Sequence, residues 1–302
     1  MLDYRKFTGS RDLRQRILST LSRVPDKFML RIQYFLQTGK WLHLKNPKIF
    51  QEYIQAYKLW YRNPDMPQCV DKGTVRDFVR NRGLENILIP LVGIYNSVEE
   101  IDFDTLPDKF VMKTTDGGGN NEVFVCHDKN RENQVTIKKK ASKWMAEPKP
   151  RKHIAREWAY DNGFPRKIII EELLEDPSGN PDIDDFKFFC YNGKFKVLEW
   201  HKDRSREHRA ALYDENLNFQ KEVEIYPIPF GDEKLPGNIK EMIKTAEILA
   251  KGFPFVRVDL YNVGGEIYFG EMTFYPASGY FVYKPEEVNE WLGSFFKYPF
   301  TS

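Results

Sequence analysis

Apolar residues recur at helical spacing in two series near the start of the chain. The first series is Leu13, Ile17, Leu18 and Leu21, and the second, after Pro47, is Ile49, Phe50, Tyr53, Ile54, Tyr57 and Trp60. Side chains three and four positions apart lie on one face of a helix. The pattern therefore predicts an N-terminal helical region over residues 1–65. Its aromatic stripe is typical of a buried core face, and a ligand platform is the alternative.

Shorter mixed units follow this region. A helix over about 71–82 and the apolar run 87–94 predict a small α/β unit over residues 66–107. Two strand-like runs, 109–114 and 122–126, flank Asp116-Gly-Gly-Gly-Asn-Asn121, which predicts a hairpin with a glycine-rich tip. A basic helical segment over 138–160 and a buried strand over 166–174 complete a predicted lobe over residues 108–174.

A second predicted lobe spans residues 175–302. Its strands are predicted over 185–191, 195–201, 255–261 and 266–273, and its helices over 239–251 and 285–296. Asn192-Gly193 and Gly264-Gly265 separate pairs of strands as two-residue hairpin turns do. The order of elements predicts a mixed α/β (α+β) fold with two lobes behind the N-terminal helical region.

The composition is that of a soluble globular protein. Of the 302 residues, 41% are hydrophobic, 15% aromatic and 30% charged, which excludes a disordered, collagenous or coiled-coil chain. The formal net charge is only +2, so attraction of the whole molecule to nucleic acid is not the default function. Any strongly positive site must be local.

The cysteines and the apolar runs bear on the compartment. Cys69, Cys126 and Cys190 are odd in number and form no CxxC pair, which favours a reducing compartment over disulfides or structural zinc. No signal peptide or bilayer-spanning apolar run is visible in the sequence. We therefore expect a cytoplasmic protein.

Several common catalytic signatures are absent from the sequence. It contains no GxxxxGK[ST], no GxGxxG after a strand, and no HRD or DFG set, which argues against P-loop proteins, Rossmann enzymes and ordinary protein kinases. HExxH and GxSxG are absent as well, so nothing supports a hydrolase of those classes.

Strand periodicity brings an arginine and two carboxylates together. Alternate residues of a strand share a face, and the aligned sets are Phe255, Arg257 and Asp259 on one strand and Phe269, Glu271 and Thr273 on the next. A hairpin around Gly264-Gly265 makes Arg257, Asp259 and Glu271 converge. Such hard oxygen ligands suit Mg²⁺, which takes one or two carboxylates together with nucleotide phosphates. The alternative is a surface hairpin with ordinary charge pairs.

A lysine precedes the glycine-rich hairpin tip. Lys113 stands just before Thr114-Thr-Asp-Gly-Gly-Gly-Asn-Asn121. Its compact ammonium suits phosphate oxygens, and bare glycine N–H groups allow the backbone to approach them closely. A phosphate-binding loop and a solvent-exposed turn are both open interpretations.

Taken in order, these elements resemble a known superfamily. The segments that carry the resemblance are Asn46-Pro-Lys-Ile-Phe50, Asp71-Lys-Gly-Thr-Val-Arg76, Leu106-Pro-Asp-Lys-Phe-Val-Met-Lys113, Asp185-Phe-Lys-Phe-Phe-Cys-Tyr-Asn-Gly193 and Val256-Arg-Val-Asp259. From about residue 20 to 280 the chain resembles the TupA-like proteins of the ATP-grasp superfamily. That family occurs among teichuronopeptide and cell-surface polysaccharide biosynthesis proteins. The resemblance implies an ATP-grasp fold, in which two α+β lobes grip ATP.

The resemblance also implies residues that bind the nucleotide. Lys72 and Lys113 stand at the positions of two phosphate-contacting lysines. The remaining matched positions are Gly117, Gly118 and Gly119 in the flap that closes over ATP, Glu171, Glu172 and Leu173 in the hinge that holds the adenine edge, and Asp185 at the ribose.

Metal and catalytic positions are implied in the same way. Asp259 and Glu271 match magnesium ligands, and Arg257 matches the arginine that steadies the carboxylate as it is phosphorylated. Arg204 is a looser candidate for contact with the γ-phosphate or the substrate. Thr273 replaces the asparagine of the usual Glu-x-Asn pattern, so it is a candidate ligand that leaves the number of metal ions, one or two, open.

The activity implied by the resemblance is that of an ATP-dependent carboxylate–amine, or carboxylate–hydroxyl, ligase. The carboxylate would become an acyl phosphate, and this chemistry needs positioning and charge neutralisation more than a nucleophilic side chain. The expected partners are a small molecule or glycan carrying the carboxylate and an amine or hydroxyl co-substrate, with no nucleic acid. Peripheral association with membrane-bound polysaccharide machinery is expected as well.

Three other functions stay open. Asp182-Ile-Asp184 and Asp102-Phe-Asp104 have the DxD form of nucleotide-sugar glycosyltransferases. The same lysines, flap and carboxylates would serve an ATP-dependent kinase of a sugar or other small hydroxyl compound. A basic stretch is either a solvated helix face or a surface for nucleic acid or an anionic glycan. It contains Lys138, Lys139, Lys140, Lys143, Trp144, Lys149, Arg151, Lys152 and His153.

Overall fold

The computed structural model describes residues 20–117, 122–146, 154–226 and 233–300. In these ranges the α-helices are α1 (Asp26–Thr38), α2 (Phe50–Trp60), α3 (Met66–Val70), α4 (Val75–Asn81), α5 (Gln134–Ala146), α6 (Trp158–Asp161), α7 (Ile239–Ala250) and α8 (Glu287–Ser294). The strands are β1 (Leu91–Tyr95), β2 (Phe110–Thr114), β3 (Val123–Cys126), β4 (Ile168–Glu172), β5 (Asp185–Tyr191), β6 (Lys194–Lys202), β7 (Arg209–Tyr213), β8 (Phe255–Val263) and β9 (Glu266–Thr273). The predicted helical residues 10–19 and the flap residues Gly118 and Gly119 lie outside the described ranges.

Helix α2 confirms the aromatic N-terminal stripe as core. Phe50, Ile54 and Tyr57 are buried, and the ring of Phe50 lies 5.5 Å from that of Phe255 on β8. Helix α8 packs against α2 from the C-terminal end of the chain. Phe50, Ile54 and Tyr57 of the predicted stripe therefore join the hydrophobic core, whereas Trp60 at its end is exposed.

The smaller sheet contains four antiparallel strands in the order β1-β4-β2-β3. The predicted hairpin is confirmed as β2 and β3. Ile168, Ile169 and Ile170 of the inner strand β4 are fully buried, and helix α5 covers the sheet with Ile137 and Trp144. Strand β1 comes from the unit predicted over 66–107 and pairs directly with β4. The predicted domain boundaries themselves stay predictions.

The larger sheet contains five antiparallel strands in the order β7-β6-β5-β8-β9. Helix α7 lies across β5, β6 and β8. The amide of Asn262 on β8 contacts the sulfur of Met242 on α7, which identifies the covered face. Because side chains alternate along a strand, Arg257 and Asp259 lie on the opposite face. Both predicted hairpins are confirmed, with β5 paired to β6 and β8 paired to β9.

The prediction of a single helix over residues 138–160 is wrong. Helix α5 ends at Ala146 and α6 begins only at Trp158. Between them Arg156 has a positive φ of 55°, and Glu157 has φ −103° and ψ 90°. These conformations lie outside the helical region, so the helix cannot continue through them.

Strand β7 is an edge strand of five residues that the sequence pattern did not predict.

A β-bulge at Gly270 changes one predicted face. Asp259 pairs with Glu271, but its neighbour Leu260 pairs with Phe269, so Gly270 is skipped in the register. A Cβ at position 270 would lie 2.9 Å from the carbonyl oxygen of Asp259, which explains the glycine. Phe269 therefore lies with Leu260 in the core, and the prediction that it shares a face with Glu271 is wrong.

Candidate active site

The predicted site residues surround one connected set of cavities between the two sheets. One cavity, of about 450 Å³, is lined from the smaller sheet by Lys113 and from the larger sheet by β5, β6, β8 and β9. Eight predicted residues line it, namely Lys72, Lys113, Gly117, Asp185, Arg204, Arg257, Asp259 and Glu271. A second cavity of about 620 Å³ adds Glu171, Glu172 and Leu173, and a third of about 430 Å³ adds Thr273. The structure thus brings together every predicted site residue that lies within the described ranges.

Arg257 links the acidic residues of β8 and β9. Its Nε and Nη2 atoms donate to the two carboxylate oxygens of Asp259 at 2.6 and 2.7 Å. Nη2 also lies 3.1 Å from Oε1 of Glu271 and 3.1 Å from the hydroxyl of Thr273. The Thr273 hydroxyl in turn donates to Glu271 at 3.1 Å. The convergence predicted from strand period is therefore present, and Thr273 holds Glu271 in place.

The charges of this group keep Asp259 ionised. Burial favours the protonated acid, but the cations of Arg257 and Lys187 outweigh it and lower the pKa of Asp259 to about 2. Burial opposes the charge of Arg257 as well, and the carboxylates of Asp259 and Glu271 outweigh it and raise the pKa of the guanidinium. Both groups therefore carry full charge at neutral pH.

Lys187 is a site residue that the sequence analysis missed. It lies two positions after Asp185 on β5, and the register places it opposite Asp259. Its Nζ atom lies 2.6 Å from Asp185 and 2.5 Å from Asp259. Arg204 also donates to Asp185 at 2.6 Å, so two cations share that carboxylate. Strand alternation from Asp185 was the signal that would have identified Lys187.

Lys72 and Gly117 connect the helical segment to the glycine-rich loop. The ammonium of Lys72 donates to the carbonyl oxygen of Gly117, and its backbone N–H donates to Thr115 at 2.9 Å. Burial lowers the pKa of Lys72, because few waters remain to solvate its charge. A Cβ at position 117 would lie 2.4 Å from the hydroxyl of Thr114, so only glycine fits this close approach.

Glu171 holds Lys113 in the cavity wall. Its carboxylate lies 2.7 Å from the Lys113 ammonium and accepts a hydrogen bond from Arg76 at 2.9 Å. The carboxylate therefore orients Lys113 in this structure. Glu172 and Leu173 follow at the end of β4 on the wall of the second cavity. Lys113 and Arg204 line both cavities, so the two spaces adjoin.

A polar chain on β6 forms another wall that the sequence analysis missed. The hydroxyl of Tyr283 donates to Glu199, whose other oxygen lies 3.2 Å from Nε2 of His201. Nδ1 of His201 lies 3.0 Å from Nε2 of His208, whose ring lies 4.0 Å from that of Tyr226. Burial favours protonation of Glu199, but the hydrogen bonds from His201 and Tyr283 and the charges of His201 and Arg257 together outweigh it and lower the pKa of Glu199. An ionised Glu199 only accepts hydrogen bonds, so Nε2 of His201 must carry a proton.

The oxygen donors on β8 and β9 fit a divalent cation bound partly by other ligands. Asp259 and Glu271 are direct cross-strand partners, and Oδ1 of Asp259 receives only the Nε donor of Arg257 among the described residues. A carboxylate oxygen has a second lone pair that remains available for a cation. No group of three His, Cys, Asp or Glu side chains with metal-ligand geometry occurs in the described ranges. Two carboxylates with phosphate or water oxygens are a typical Mg²⁺ environment.

The DxD segments have structural partners. The side chain of Asp182 accepts from Ser205 at 2.7 Å, and that of Asp184 accepts from the indole of Trp200 at 3.0 Å. Asp102 accepts from the backbone of Asp104 at 3.1 Å in a short 3₁₀ turn. These aspartates therefore support local turns and the start of the larger sheet.

The described part of the basic stretch, residues 138–144, lies on helix α5 and lines none of the three cavities. Lys138 and Lys140 lie over the rings of Phe103 and Phe124, at 5.0 and 5.4 Å from the ring centroids. Lys149, Arg151, Lys152 and His153 fall outside the described ranges.

None of the helices that the structure describes combines the length and the apolarity needed to cross a bilayer.

Comparison with known proteins gives one family match. The model of the family described as TupA-like ATPgrasp matches residues 52–297. No curated protein matches the chain significantly.

Among solved structures, the chain is similar to D-alanine–D-alanine ligase from Bacillus anthracis, with 17% identity, a TM-score of 0.42 and coverage of 68% of this chain and 57% of that one. It is also similar to L-amino acid ligase from Bacillus licheniformis, with 14% identity, a TM-score of 0.44 and coverage of 86% and 57%. A third similar structure is N5-carboxyaminoimidazole synthetase from Staphylococcus aureus, with 13% identity, a TM-score of 0.39 and coverage of 68% of this chain and 44% of that one. The chain thus spans little more than half the length of the first two of these structures.

Proposed function

Because the chain belongs to the TupA-like ATP-grasp family, we propose that it is an ATP- and Mg²⁺-dependent ligase. In this proposal it activates a carboxylate as an acyl phosphate and then forms an amide or an ester. One observation supports the proposal most strongly. The group formed by Arg257, Asp259 and Glu271 on the larger sheet shares a single cavity with Lys72 and Lys113.

The nucleotide would lie across the adjoining cavities. The adenine would contact the hinge of Glu171, Glu172 and Leu173 in the second cavity, and the phosphates would extend toward Lys113 and Lys72 in the first. Two ammonium groups there neutralise phosphate charge. Asp185 would receive the ribose hydroxyls, since its Oδ1 is buried without a partner among the described residues.

Asp259 and Glu271 would hold Mg²⁺. When bound, the ion would supply positive charge to the phosphate oxygens of ATP. Arg257 contacts both carboxylates and fixes their separation. Thr273 would act by orienting Glu271, because its hydroxyl already donates to that carboxylate.

The reaction would proceed in two steps. A substrate carboxylate oxygen attacks the γ-phosphorus, the bond to the bridging oxygen of ADP breaks, and an acyl phosphate forms. An amine or hydroxyl then attacks the acyl carbon, loses its proton and displaces inorganic phosphate. Arg257 and Arg204 both line the cavity and would steady the negative charge of the first step. No nucleophilic side chain takes part.

The proposed substrates come from cell-surface or capsular polysaccharide assembly in the cytoplasm. The carboxylate would belong to a small molecule or glycan, such as a uronic acid or an amino acid, and the second substrate would be an amine or a hydroxyl compound. The family to which the chain belongs supports this assignment. Peripheral association with the membrane-bound polysaccharide machinery belongs to the same proposal.

Trapping with hydroxylamine tests the proposed reaction. Purified protein is incubated with MgATP, hydroxylamine and a panel of uronic and amino acids, and both ADP and hydroxamate are measured. Parallel incubations replace the acid by a sugar alcohol or by a UDP- or CMP-sugar. A ligase of this kind forms ADP and hydroxamate in equal amounts and only when the acid is present, because hydroxylamine captures the acyl phosphate. ADP formed with a sugar alcohol and without hydroxamate would identify a kinase. Turnover of a UDP- or CMP-sugar without ADP would identify a glycosyltransferase.

A further inference from the structure

Helix α1 and Trp41, three residues beyond its end, present a continuous apolar face to solvent. This face, called the α1 face below, consists of Phe28, Ile32, Phe35, Leu36 and Trp41, with exposed fractions of 57, 50, 40, 46 and 72%. The first four residues repeat at intervals of three and four, and the ring of Trp41 lies 4.9 Å from that of Phe35. A cluster of large exposed apolar side chains marks a site of protein or membrane interaction.

The rest of the protein holds this helix firmly. On its other side Leu30 and Tyr34 are buried in a small core with Leu44 of the following segment, and Met29 is buried as well. At its start the guanidinium of Arg156 donates to three carbonyl oxygens of residues 21–24 and to the carboxylate of Asp26. The α1 face is therefore presented outward by tertiary packing and not by local unfolding.

The charge of the N-terminal segment is opposite to that of the rest of the chain. Residues 1–48 contain eleven Lys and Arg and three Asp, which gives a net charge of +8, while the other 254 residues carry −6. Lys27 and Arg31 are exposed and each precedes a residue of the α1 face by one position, so they lie along one edge of it. Apolar side chains bordered by basic ones are typical of helices that lie in a membrane interface.

We propose that the α1 face docks onto the anionic surface of a lipid bilayer. Its apolar side chains would enter the boundary between headgroups and acyl chains, and Lys27 and Arg31 would contact the lipid phosphates. This inference deepens the peripheral association included in the proposed function. It does not depend on the ligase reaction, because the α1 face is separate from the residues that line the three cavities.

Charge favours a lipid surface as the partner of the α1 face over two protein alternatives, which are residues 1–19 of the same chain and a second copy of the chain. Residues 1–19 contain five Lys and Arg and two Asp, so folding them over the helix would bring like charges together. A symmetric contact with a second copy would likewise place each Lys27 and Arg31 near the same residues of the partner. An anionic surface removes this repulsion.

Vesicle sedimentation with the full chain tests the inference. Vesicles of phosphatidylcholine alone are compared with vesicles that also contain phosphatidylglycerol. We expect binding to the anionic vesicles that weakens as salt is raised. The double variant Lys27→Gln/Arg31→Gln should bind about 25-fold more weakly, at about fivefold for each basic side chain. Ile32→Asp should lose binding, and Val135→Asp, at an exposed apolar position on α5, should keep it.

Several results would overturn the inference. They are equal partition to neutral and anionic vesicles, no sedimentation with either, or equal losses for Ile32→Asp and Val135→Asp. A dimer in light scattering that Ile32→Asp dissociates would assign the face to a second copy, and binding that appears only after removal of residues 1–19 would assign it to that segment. Thermal melting of Ile32→Asp and of the milder Ile32→Ser checks folding. ADP release measured without vesicles separates a failure here from a failure of the proposed reaction.

Discussion

The Nζ atom of Lys187 lies 2.5 Å from Oδ2 of Asp259. The same ammonium lies 2.6 Å from Asp185, so one lysine compensates two buried carboxylates on neighbouring strands. Burial alone lowers the pKa of a lysine, but here the two carboxylates outweigh it and raise the pKa of Lys187. The lysine thus keeps the acidic centre of the cavity close to neutral before any cation binds.

Replacement of this lysine should expose the charge that it compensates. We expect Lys187→Met to lower the free energy of unfolding by about 3 kcal/mol, because the buried carboxylates of Asp185 and Asp259 then lose the cation that they share and keep only Arg204 and Arg257. Added Mg²⁺ should restore part of the loss, since the cation can take the place of the ammonium. Denaturant titration with and without Mg²⁺ measures both effects. Lys194→Met is the control, because its ion pair with Glu247 is exposed and should contribute less than about 1 kcal/mol. Equal losses in the two variants would contradict this role.

Glu271 should be needed for turnover but not for folding. Its side chain is about half exposed, at 48%, so Glu271→Gln should change the free energy of unfolding by no more than about 0.5 kcal/mol. The loss of a metal ligand should lower the rate of ADP release at least about 100-fold. Glu266→Gln, the same substitution at the exposed start of β9, should leave the rate unchanged. Normal ADP release from Glu271→Gln would remove the metal assignment.

Gly117 should tolerate no side chain. A Cβ there would lie 2.4 Å from the Thr114 hydroxyl and 2.7 Å from a carboxylate oxygen of Glu122. We expect Gly117→Ala to lower the free energy of unfolding by about 1–3 kcal/mol and to raise the KM for ATP by displacing Lys72. Gly237→Ala is the control, since a Cβ at that position meets no heavy atom within 4 Å. Unchanged melting and KM in Gly117→Ala would show that the loop relaxes freely.

Stability should fall as the pH is lowered toward 4, because of His208. Burial, followed by the charges of His201 and Arg204, lowers the pKa of His208 from 6.5 to about 4. Between these values the unfolded chain binds a proton that the folded protein does not, so the free energy of unfolding decreases with falling pH. The groups that set this pKa from the neighbouring elements are His201, Arg204, Asp185 and Lys187.

A pair of variants tests this pH dependence. His208→Gln should flatten the slope of stability against pH between 6.5 and 4, and His127→Gln, at an exposed histidine, should not. Urea unfolding at a series of pH values measures the slope. A slope that is the same in His208→Gln and in the unchanged protein would assign it to other groups.

The sequence predicted most of the larger sheet because local signals and strand period agree there. The turns at Asn192-Gly193 and Gly264-Gly265 and the convergence of Arg257 on Asp259 and Glu271 all follow from nearest-neighbour pairing. Phe269 was placed on the wrong face because the bulge at Gly270 adds a residue to β9, and strict alternation cannot represent that.

Other features depend on contacts between distant parts of the chain. Glu171 meets Arg76 across 95 residues and also pairs with Lys113, and no local pattern in the sequence indicates either contact. The polar contacts from Glu199 through His201 to His208 form only because the chain turns before β7. That short edge strand carries no hydrophobic alternation, so the sequence did not indicate it. Alternation along β6 does place Glu199 and His201 on one face, and this was the available signal.

Thermal melting with MgATP tests the central claim that these cavities bind ATP. At about 100 times the Kd, MgATP should stabilise the protein by about 2.7 kcal/mol, which gives a measurable rise in Tm. The rise should disappear in Lys113→Ala, whose side chain lines both cavities. It should persist in Lys109→Ala, whose ion pair with Glu175 is exposed. No rise with MgATP, or a rise only with a UDP- or CMP-sugar, would contradict the account.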